Sequence, residues 1–298
     1  MICTYAIAKE GGMTITAHPV TDPVAEHGEG PVWSGRWGLR WVDMMAGDVL
    51  QLGDDGNVRR RHVGTVAAVV RPRVNAGYVV AAERELLLAD SDDLDAPLRS
   101  LGEAFSDPSI RMNEGGCDPD GRFYIGTMAY DAGPGRGSLY VAGPGGELSV
   151  VLAGTTISNG FGFSPDGRRA YYADTGVGRV DVLDYDPETG LSGRRPFAVV
   201  DPAQGGPDGL TVDAEGGVWV ALWQGGAVHR YDADGRLDAV ISLPVRKVTA
   251  VAFGGENLDR LFITTSALDV DRAEQPLAGS LFTAEPGVRG LPVLPAAL

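Results

Sequence analysis

Cysteine, lysine and histidine are scarce in this sequence, and their scarcity narrows the possible chemistry. The 298 residues include two cysteines, Cys3 and Cys117, which are too few for a disulfide framework or a cysteine-rich zinc site. The four histidines are too few and too scattered for a three-histidine metal site. Only Lys9 and Lys247 are lysines, which argues against a Schiff-base mechanism. Any catalytic chemistry is therefore expected to depend on carboxylates and amides.

Long apolar runs and excess positive charge are also missing. No run reaches the roughly 18 apolar residues of a membrane-spanning helix, and residues 1–12 lack the apolar core and cleavage site of a signal peptide. The 40 acidic and 25 basic residues give a net charge of −15, which repels phosphate backbones and anionic lipids. We therefore expect a cytoplasmic protein that binds neither nucleic acid nor membrane.

What the sequence does contain is a series of short apolar runs separated by turn residues. The runs are rich in valine and aromatic residues, as in 122–126 and 217–222, and clusters of Gly, Pro, Asp and Asn bound them. This pattern is typical of β-strands joined by tight turns. No long apolar pattern with the 3.6-residue period of a helix is present, so the sequence predicts an all-β fold.

A repeat becomes visible when the turns are aligned. Similar turn sequences start at residues 118, 164, 213 and 254, beginning with Asp118-Pro119-Asp120-Gly121-Arg122. A period of about 40 to 50 residues with four strands per unit predicts a six-bladed β-propeller with four-stranded antiparallel blades. A pair of β-sandwiches is the alternative. The predicted blades start near Gly30, Val66, Asn113, Gly160, Gly209 and Ala250.

We expect residues 1–298 to form a single domain, with the ring closed by an N-terminal strand near residues 13–20. In this interpretation Met13–Thr16 pairs with the last blade. Such closure covers strand edges that would otherwise favour aggregation.

Polar residues with a glycine one or two positions later recur just before the inner strand of four blades. They are Glu29, Asn113, Asn159 and Asp208. Each dipeptide alone is an ordinary turn sequence, but four of them in phase with the repeat favour a shared site at one mouth of the central channel. Two carboxylates and two amides form an all-oxygen set that suits Ca²⁺, Mg²⁺ or Mn²⁺, and Zn²⁺ also accepts carboxylate oxygen.

These residues resemble the SMP-30/gluconolactonase/luciferin-regenerating-enzyme family of regucalcin-like six-bladed propellers. The resemblance runs from about Glu26 to Ser266. Its carriers are Gly28-Glu29-Gly30-Pro31-Val32-Trp33, Arg111-Met112-Asn113-Glu114-Gly115, Ser158-Asn159-Gly160 and Pro207-Asp208-Gly209.

The resemblance implies one divalent cation held by Glu29, Asn159 and Asp208, with Ca²⁺ expected first and Zn²⁺, Mn²⁺ or Mg²⁺ as alternatives. It also implies that Asp208 is the catalytic base and that Arg111 and Asn113 bind substrate. Asp131, in a more variable loop, is a further substrate-binding candidate. In this chain Glu114 replaces the Asp that the family usually has after the asparagine.

The implied function is hydrolysis of a sugar lactone to its acid by a water molecule that the cation activates. Two alternatives remain open: a phosphotriesterase-like or other ester hydrolase, and a non-catalytic calcium-binding regulatory propeller. The expected partner is a small-molecule lactone, and the expected state is a monomer or a weak homo-oligomer. His27 is expected to be a loop or surface residue.

Overall fold

The computed structural model describes residues 13–298, in which the predicted repeats form six β-sheets. Each blade contains four antiparallel strands, in chain order from the channel outwards except for the outer strand of the sixth, and the sheet of the fifth blade carries one additional strand. The six sheets form a six-bladed propeller. The prediction of an all-β propeller is confirmed, and the β-sandwich alternative is wrong. The helical elements in this part of the chain are two short 3₁₀ turns, Thr175–Val177 and Pro202–Gln204. None of its helices has the length and apolar character needed to cross a bilayer.

The chain begins with β1 (Met13–Thr16) and β2 (His18–Pro19) and then forms the first three blades. Blade 1 contains β3 (Gly28–Ser34), β4 (Gly38–Asp43), β5 (Asp48–Leu52) and β6 (Val58–His62). Blade 2 contains β7 (Ala67–Pro72), β8 (Tyr78–Ala82), β9 (Glu85–Ala89) and β10 (Leu98–Glu103). Blade 3 contains β11 (Ile110–Cys117), β12 (Phe123–Ala129), β13 (Gly137–Ala142) and β14 (Leu148–Thr155).

The remaining three blades follow in the same manner. Blade 4 contains β15 (Ser158–Phe163), β16 (Arg169–Asp174), β17 (Arg179–Asp186) and β18 (Gly190–Val199). Blade 5 contains β19 (Gly206–Val212), β20 (Val218–Trp223), β21 (Ala227–Tyr231) and β22 (Leu237–Ser242). Blade 6 contains β23 (Val248–Gly254), β24 (Arg260–Thr265) and β25 (Phe282–Ala284), with β2 as its outer strand.

The N-terminal strands join two different blades. The expectation that Met13–Thr16 pairs with the last blade is wrong, because this strand lies parallel to β22 as a fifth strand of blade 5. The strand that completes blade 6 is His18–Pro19, which pairs antiparallel with β25. Only Ala17 lies between β1 and β2, so the chain passes directly from one blade edge to the next.

The aligned turns join the first and second strands of their blades, and an aspartate stabilises two of them in the same way. The Asp118 Oδ1 atom accepts hydrogen bonds from the backbone N–H groups of Asp120 (3.0 Å) and Arg122 (2.9 Å). In blade 5, Asp213 Oδ1 accepts from Glu215 N (2.9 Å) and Gly217 N (2.8 Å). The aspartate side chain thus satisfies donors that the tight turn leaves unpaired.

Every inner strand contains a shift in register with its neighbour near its first residues. The shifts lie at Glu29/Val32, Ala67/Val69, Met112/Gly115, Ser158/Phe161, Pro207/Leu210 and Val248/Val251. Such bulges turn side chains out of the regular alternation, and they are frequent next to active sites. The propeller therefore presents one irregular, redirected position per blade at the same end of its channel.

Two glycines at these bulges allow neighbouring inner strands to approach closely. A Cβ atom on Gly160 would lie 2.5 Å from Leu210 N, and one on Gly209 would lie 2.4 Å from the Ala250 Cβ atom. Neither distance is compatible with a larger residue, so the glycines after Asn159 and Asp208 are required by the contact between blades.

The opposite end of the channel is closed by the C-terminal segment, residues 285–298. Its backbone bonds to several blades: Gly290 N donates to Leu258 O, Ala296 N to Pro72 O and Ala297 N to Gly121 O, each at 2.7 Å. A cavity of about 460 Å³ lies above it, lined by the distal halves of the inner strands and by residues 291–294.

Candidate metal and substrate site

The four polar residues predicted from the repeat lie at the inner-strand bulges. Asn113, Asn159 and Asp208 lie within their register shifts, and Glu29 lies at the edge of the first. All four are at most 5% exposed. Charged and amide groups are rarely buried without a partner or a ligand, so their shared position indicates a functional site.

Asn159 is held with its amide oxygen free. Its Nδ2 atom donates to Thr175 Oγ1 (2.9 Å), and Thr175 Oγ1 donates to Pro207 O (2.7 Å), next to Asp208 in the chain. Asn159 Oδ1 and Asp208 Oδ1 are both buried and have no hydrogen-bond partner within residues 13–298. The two oxygens are acceptors whose missing partner is a proton donor or a cation.

The buried carboxylates influence one another. Burial, followed by the nearby charges of Glu29 and Glu114, raises the pKa of Asp208 well above its usual range. Burial and the charge of Glu114 likewise raise the pKa of Glu29, although its Oε2 atom accepts a hydrogen bond from Gly30 N (3.0 Å). Burial raises the pKa of Glu114 to about 7, against the opposing effect of Arg71. This concentration of negative charge favours a bound cation.

Arg111 and Asn113 form a bonded pair beside the carboxylates. Arg111 Nη1 donates to Asn113 Oδ1 (2.6 Å) and to Met112 O (3.0 Å), while Asn113 Nδ2 donates to Ser158 O (2.9 Å). The guanidinium also lies 5.9 Å from the Tyr130 ring centre. Arg111 is close enough to Glu29 and Asp208 for their charges to oppose the effect of burial, which lowers its pKa.

His27, Trp223 and Lys247 form a second wall of the site. The expectation that His27 is a surface residue is wrong: it lies in the connection between β2 and β3 but is only 9% exposed, and its Nδ1 atom lies 2.8 Å from Ser266 Oγ. Burial, then the charges of Arg111 and Lys247, lower the pKa of His27 to about 3. Its ring meets the Trp223 edge at 5.7 Å, and Lys247 Nζ lies 4.9 Å from the Trp223 ring centre. No polar–glycine pattern marks Trp223 or Lys247 in the sequence, whereas His27 does precede a glycine.

Asp131 lies apart from the buried group, in the loop after β12. Its side chain is 66% exposed and forms an ion pair with Arg136 (3.0 Å). Its Oδ1 atom also accepts a hydrogen bond from Gly133 N (2.9 Å). A role for Asp131 in substrate binding stays a prediction.

The predicted ligand set fits a hard divalent cation by its chemistry. Glu29, Asn159 and Asp208 offer carboxylate and amide oxygens, and two of these oxygens have no partner in the described chain. In residues 13–298 no three His, Cys, Asp or Glu side chains are close enough to form a metal site on their own. The predicted set therefore combines the two carboxylates with the Asn159 amide oxygen.

Comparison with known proteins places this chain in a family. Residues 27–267 match the model described as the SMP-30/Gluconolactonase/LRE-like region. Pentonolactonase XacC of Haloferax volcanii is 35% identical over 299 residues, which cover 94% of this chain and 97% of that protein. Regucalcin of Danio rerio is 33% identical over 277 residues, covering 90% and 93%. The chain belongs to the SMP-30/gluconolactonase family, and the resemblance inferred from its motifs is confirmed.

A solved structure shows the same architecture. The calcium-binding protein regucalcin from Agrobacterium tumefaciens superimposes with a TM-score of 0.87 at 29% identity, covering 96% of this chain and 99% of that one. The match extends over the whole propeller.

Proposed function

We propose that this protein is a divalent-cation-dependent hydrolase that opens a sugar lactone to its acid. The observation that carries the proposal is the pair of buried, unpartnered oxygens of Asn159 and Asp208 beside the Glu29 carboxylate. Family membership supports it, since a similar protein is named a pentonolactonase and a similar structure is named a calcium-binding protein. Glu29, Asn159 and Asp208 would hold the cation, with Ca²⁺ as the first candidate.

A bound divalent cation supplies positive charge that polarises an ester carbonyl and makes a nearby water more acidic. Asp208 would accept a proton from the water as its oxygen forms a bond to the carbonyl carbon. The same proton would then pass to the ring oxygen as the C–O bond breaks, so the products are one carboxylic acid and one alcohol on a single molecule. This exchange requires a carboxylate within hydrogen-bond reach of the water.

Arg111 and Asn113 would orient the substrate. The Arg111 guanidinium is permanently charged and rigid, and its Nη1 atom is held by the hydrogen bond that it donates to Asn113 Oδ1. The remaining guanidinium donors suit the several oxygens of a sugar lactone. Trp223 and His27 present ring surfaces on the other wall, which fit the C–H faces of a sugar ring.

Removal and return of cations tests this function. Chelator-treated protein should open aldonolactones no faster than the spontaneous background, and one or more of Ca²⁺, Mg²⁺, Mn²⁺ and Zn²⁺ should restore turnover. The Glu29→Gln, Asn159→Ala, Asp208→Asn triple variant should bind none of these cations in a calorimetric titration. Unchanged cation binding by that variant would place the site elsewhere.

The same assay separates the alternatives. Turnover of phosphotriesters but of no lactone would identify the phosphotriesterase-like reaction. Tight Ca²⁺ binding without turnover of any lactone or ester would identify a non-catalytic calcium-binding protein.

A further inference from the structure

Arg71 is a buried arginine in the inner strand of blade 2, a blade that contributes none of the predicted site residues. It lies in β7 and is 9% exposed. Within residues 13–298 it makes no ion pair, since no carboxylate oxygen lies within 4.0 Å of its guanidinium. A buried charge of this kind needs hydrogen bonds and nearby opposite charge to offset its lost hydration.

The hydrogen bonds of Arg71 go to three backbone carbonyls in three adjacent blades. Nη2 donates to Gly115 O (2.7 Å) in blade 3, and Nη1 donates to Val70 O (2.8 Å) in blade 2 and Gly30 O (3.4 Å) in blade 1. Gly30 and Gly115 are the residues directly after Glu29 and Glu114. Both lie at the bulges, where the regular ladder between strands is interrupted.

The positive charge of Arg71 also interacts with the buried carboxyl groups of Glu29 and Glu114. Glu114 and Glu29 both act on its guanidinium, and its positive charge opposes the effect of burial on the Glu114 carboxyl. On its other side Arg71 lines the 460 Å³ cavity that the C-terminal segment closes. Arg71 therefore lies between the buried acids and the lower cavity.

We infer that Arg71 is a positioning residue that holds the Glu29 and Glu114 bulges in the arrangement needed for cation binding. This inference rests on the proposed function. Arginine suits the role because its planar fork donates to several carbonyls at once, whereas lysine offers a single flexible ammonium group. Loss of the fork leaves two bulge carbonyls unpaired, so the Glu29 and Glu114 bulges lose their shared anchor and the cation site becomes less well ordered.

Arg40 provides a matched control. It too is a buried arginine that joins two blades: its Nε atom donates to Gln51 Oε1 (2.9 Å) and its Nη2 atom to Asp92 O (2.5 Å). It packs against the Trp37 and Tyr78 rings, between blades rather than in the channel. Its replacement tests the cost of losing any buried interblade arginine.

The experiment compares Arg71→Lys, Arg71→Met and Arg40→Lys by Ca²⁺ titration calorimetry, thermal unfolding and lactone kinetics. Both Arg71 variants should bind Ca²⁺ at least tenfold more weakly, and saturating Ca²⁺ should return much of the lost kcat in Arg71→Lys. Arg40→Lys should lower the Tm while keeping wild-type Ca²⁺ affinity.

Folded Arg71 variants with wild-type Ca²⁺ affinity would overturn the positioning role and leave the proposed function intact. An equal loss of affinity in Arg40→Lys would also overturn it, because general destabilisation would then explain the effect. A wild-type protein that binds no divalent cation would overturn both the proposed function and this inference.

Discussion

At the scale of single residues, two buried aspartates of blade 5 have different roles, one in ligand binding and one in stability. Asp208, 4% exposed, has an oxygen without a partner, whereas Asp213, fully buried, accepts hydrogen bonds from its turn, from Trp219 Nε1 (2.8 Å) and from Arg230 Nε (2.7 Å). The buried Asp208 carboxylate destabilises the fold unless a ligand binds, whereas the hydrogen-bonded Asp213 carboxylate stabilises it.

Substitution by asparagine should separate these two roles. We expect Asp208→Asn to lower lactone turnover by at least about 100-fold, because the proton acceptor is lost, with the free energy of unfolding of the cation-free protein unchanged or higher. Asp213→Asn should lower the free energy of unfolding by roughly 2 kcal/mol and keep turnover per folded molecule. Kinetics and urea unfolding of both variants check this, and wild-type turnover by Asp208→Asn would remove Asp208 from the mechanism.

His229 predicts a pH dependence of stability. Burial lowers its pKa to about 4, below the usual value of about 6.5. Between these two values the unfolded chain binds more protons than the folded one, so stability falls as the pH decreases through this window. In His229→Gln the loss of unfolding free energy between pH 7 and pH 4.5 should be smaller by about 2–3 kcal/mol.

The difference between the two pH values within each protein is the quantity to measure, because it cancels the constant cost of replacing a buried side chain. Equal pH slopes for His229→Gln and wild type would show that His229 is accessible to protons in the folded protein.

At the scale of elements, the sequence was most informative where the chain turns and least informative at blade edges. Turn residues such as Asp118 and Gly209 have a local physical requirement, so they could be predicted. The outer strand β6 reads Val58-Arg59-Arg60-Arg61-His62, without the alternation of a half-buried strand, and its existence depends on pairing with β5. Tertiary pairing of this kind leaves no local pattern.

The sequence likewise predicts some residues of the candidate site and not others. Glu29, Asn113, Asn159 and Asp208 could be found because each lies one or two positions before a glycine, and the glycines after Asn159 and Asp208 are required by the contact between inner strands. Arg71 occurs in an ordinary strand sequence and Lys247 in the loop just before β23, and their positions in the fold follow from the bulges and the packing of six blades. No spacing rule could have identified them.

The glycine after Asp208 should be sensitive to substitution. Gly209→Ala places a methyl group 2.4 Å from the Ala250 Cβ atom and 3.0 Å from Thr249 O, so blades 5 and 6 must separate locally. We expect a loss of about 1–3 kcal/mol in unfolding free energy and weaker cation binding.

Gly35→Ala is the matched control, because no atom lies within 4 Å of its added methyl group. It should change stability by less than about 0.5 kcal/mol. Equal unfolding free energies for the two alanine variants would show that the ring accommodates the methyl group at residue 209.

At the scale of the whole molecule, the N-terminal strands predict different consequences for two truncations. Removal of residues 1–16 deletes β1 but keeps blade 6 complete. Removal of residues 1–22 also deletes β2 and the hydrogen bonds from Val20 N to Leu281 O (2.7 Å) and from Leu281 N to Thr21 Oγ1 (3.0 Å). The second truncation exposes the edge of β25.

We expect the longer truncation to lower the Tm several times more than the shorter one and to promote association through the exposed edge. Calorimetric unfolding and sedimentation velocity would measure both effects. Equal Tm values for the two truncated proteins would show that β2 contributes little to closure of the ring.

The pairing of His18 with Thr283 has a consequence for the order of events during synthesis. The two residues are 265 positions apart, so the last blade cannot be completed until nearly the whole chain has been translated. At roughly 5–20 residues per second this interval is about 13 to 53 s. Blades 1 to 5 have time to form on the ribosome, while residues 18–19 must wait without their partner strand. The rate at which nascent chains reach the native state is then limited by translation of the final blade rather than by folding of the early ones.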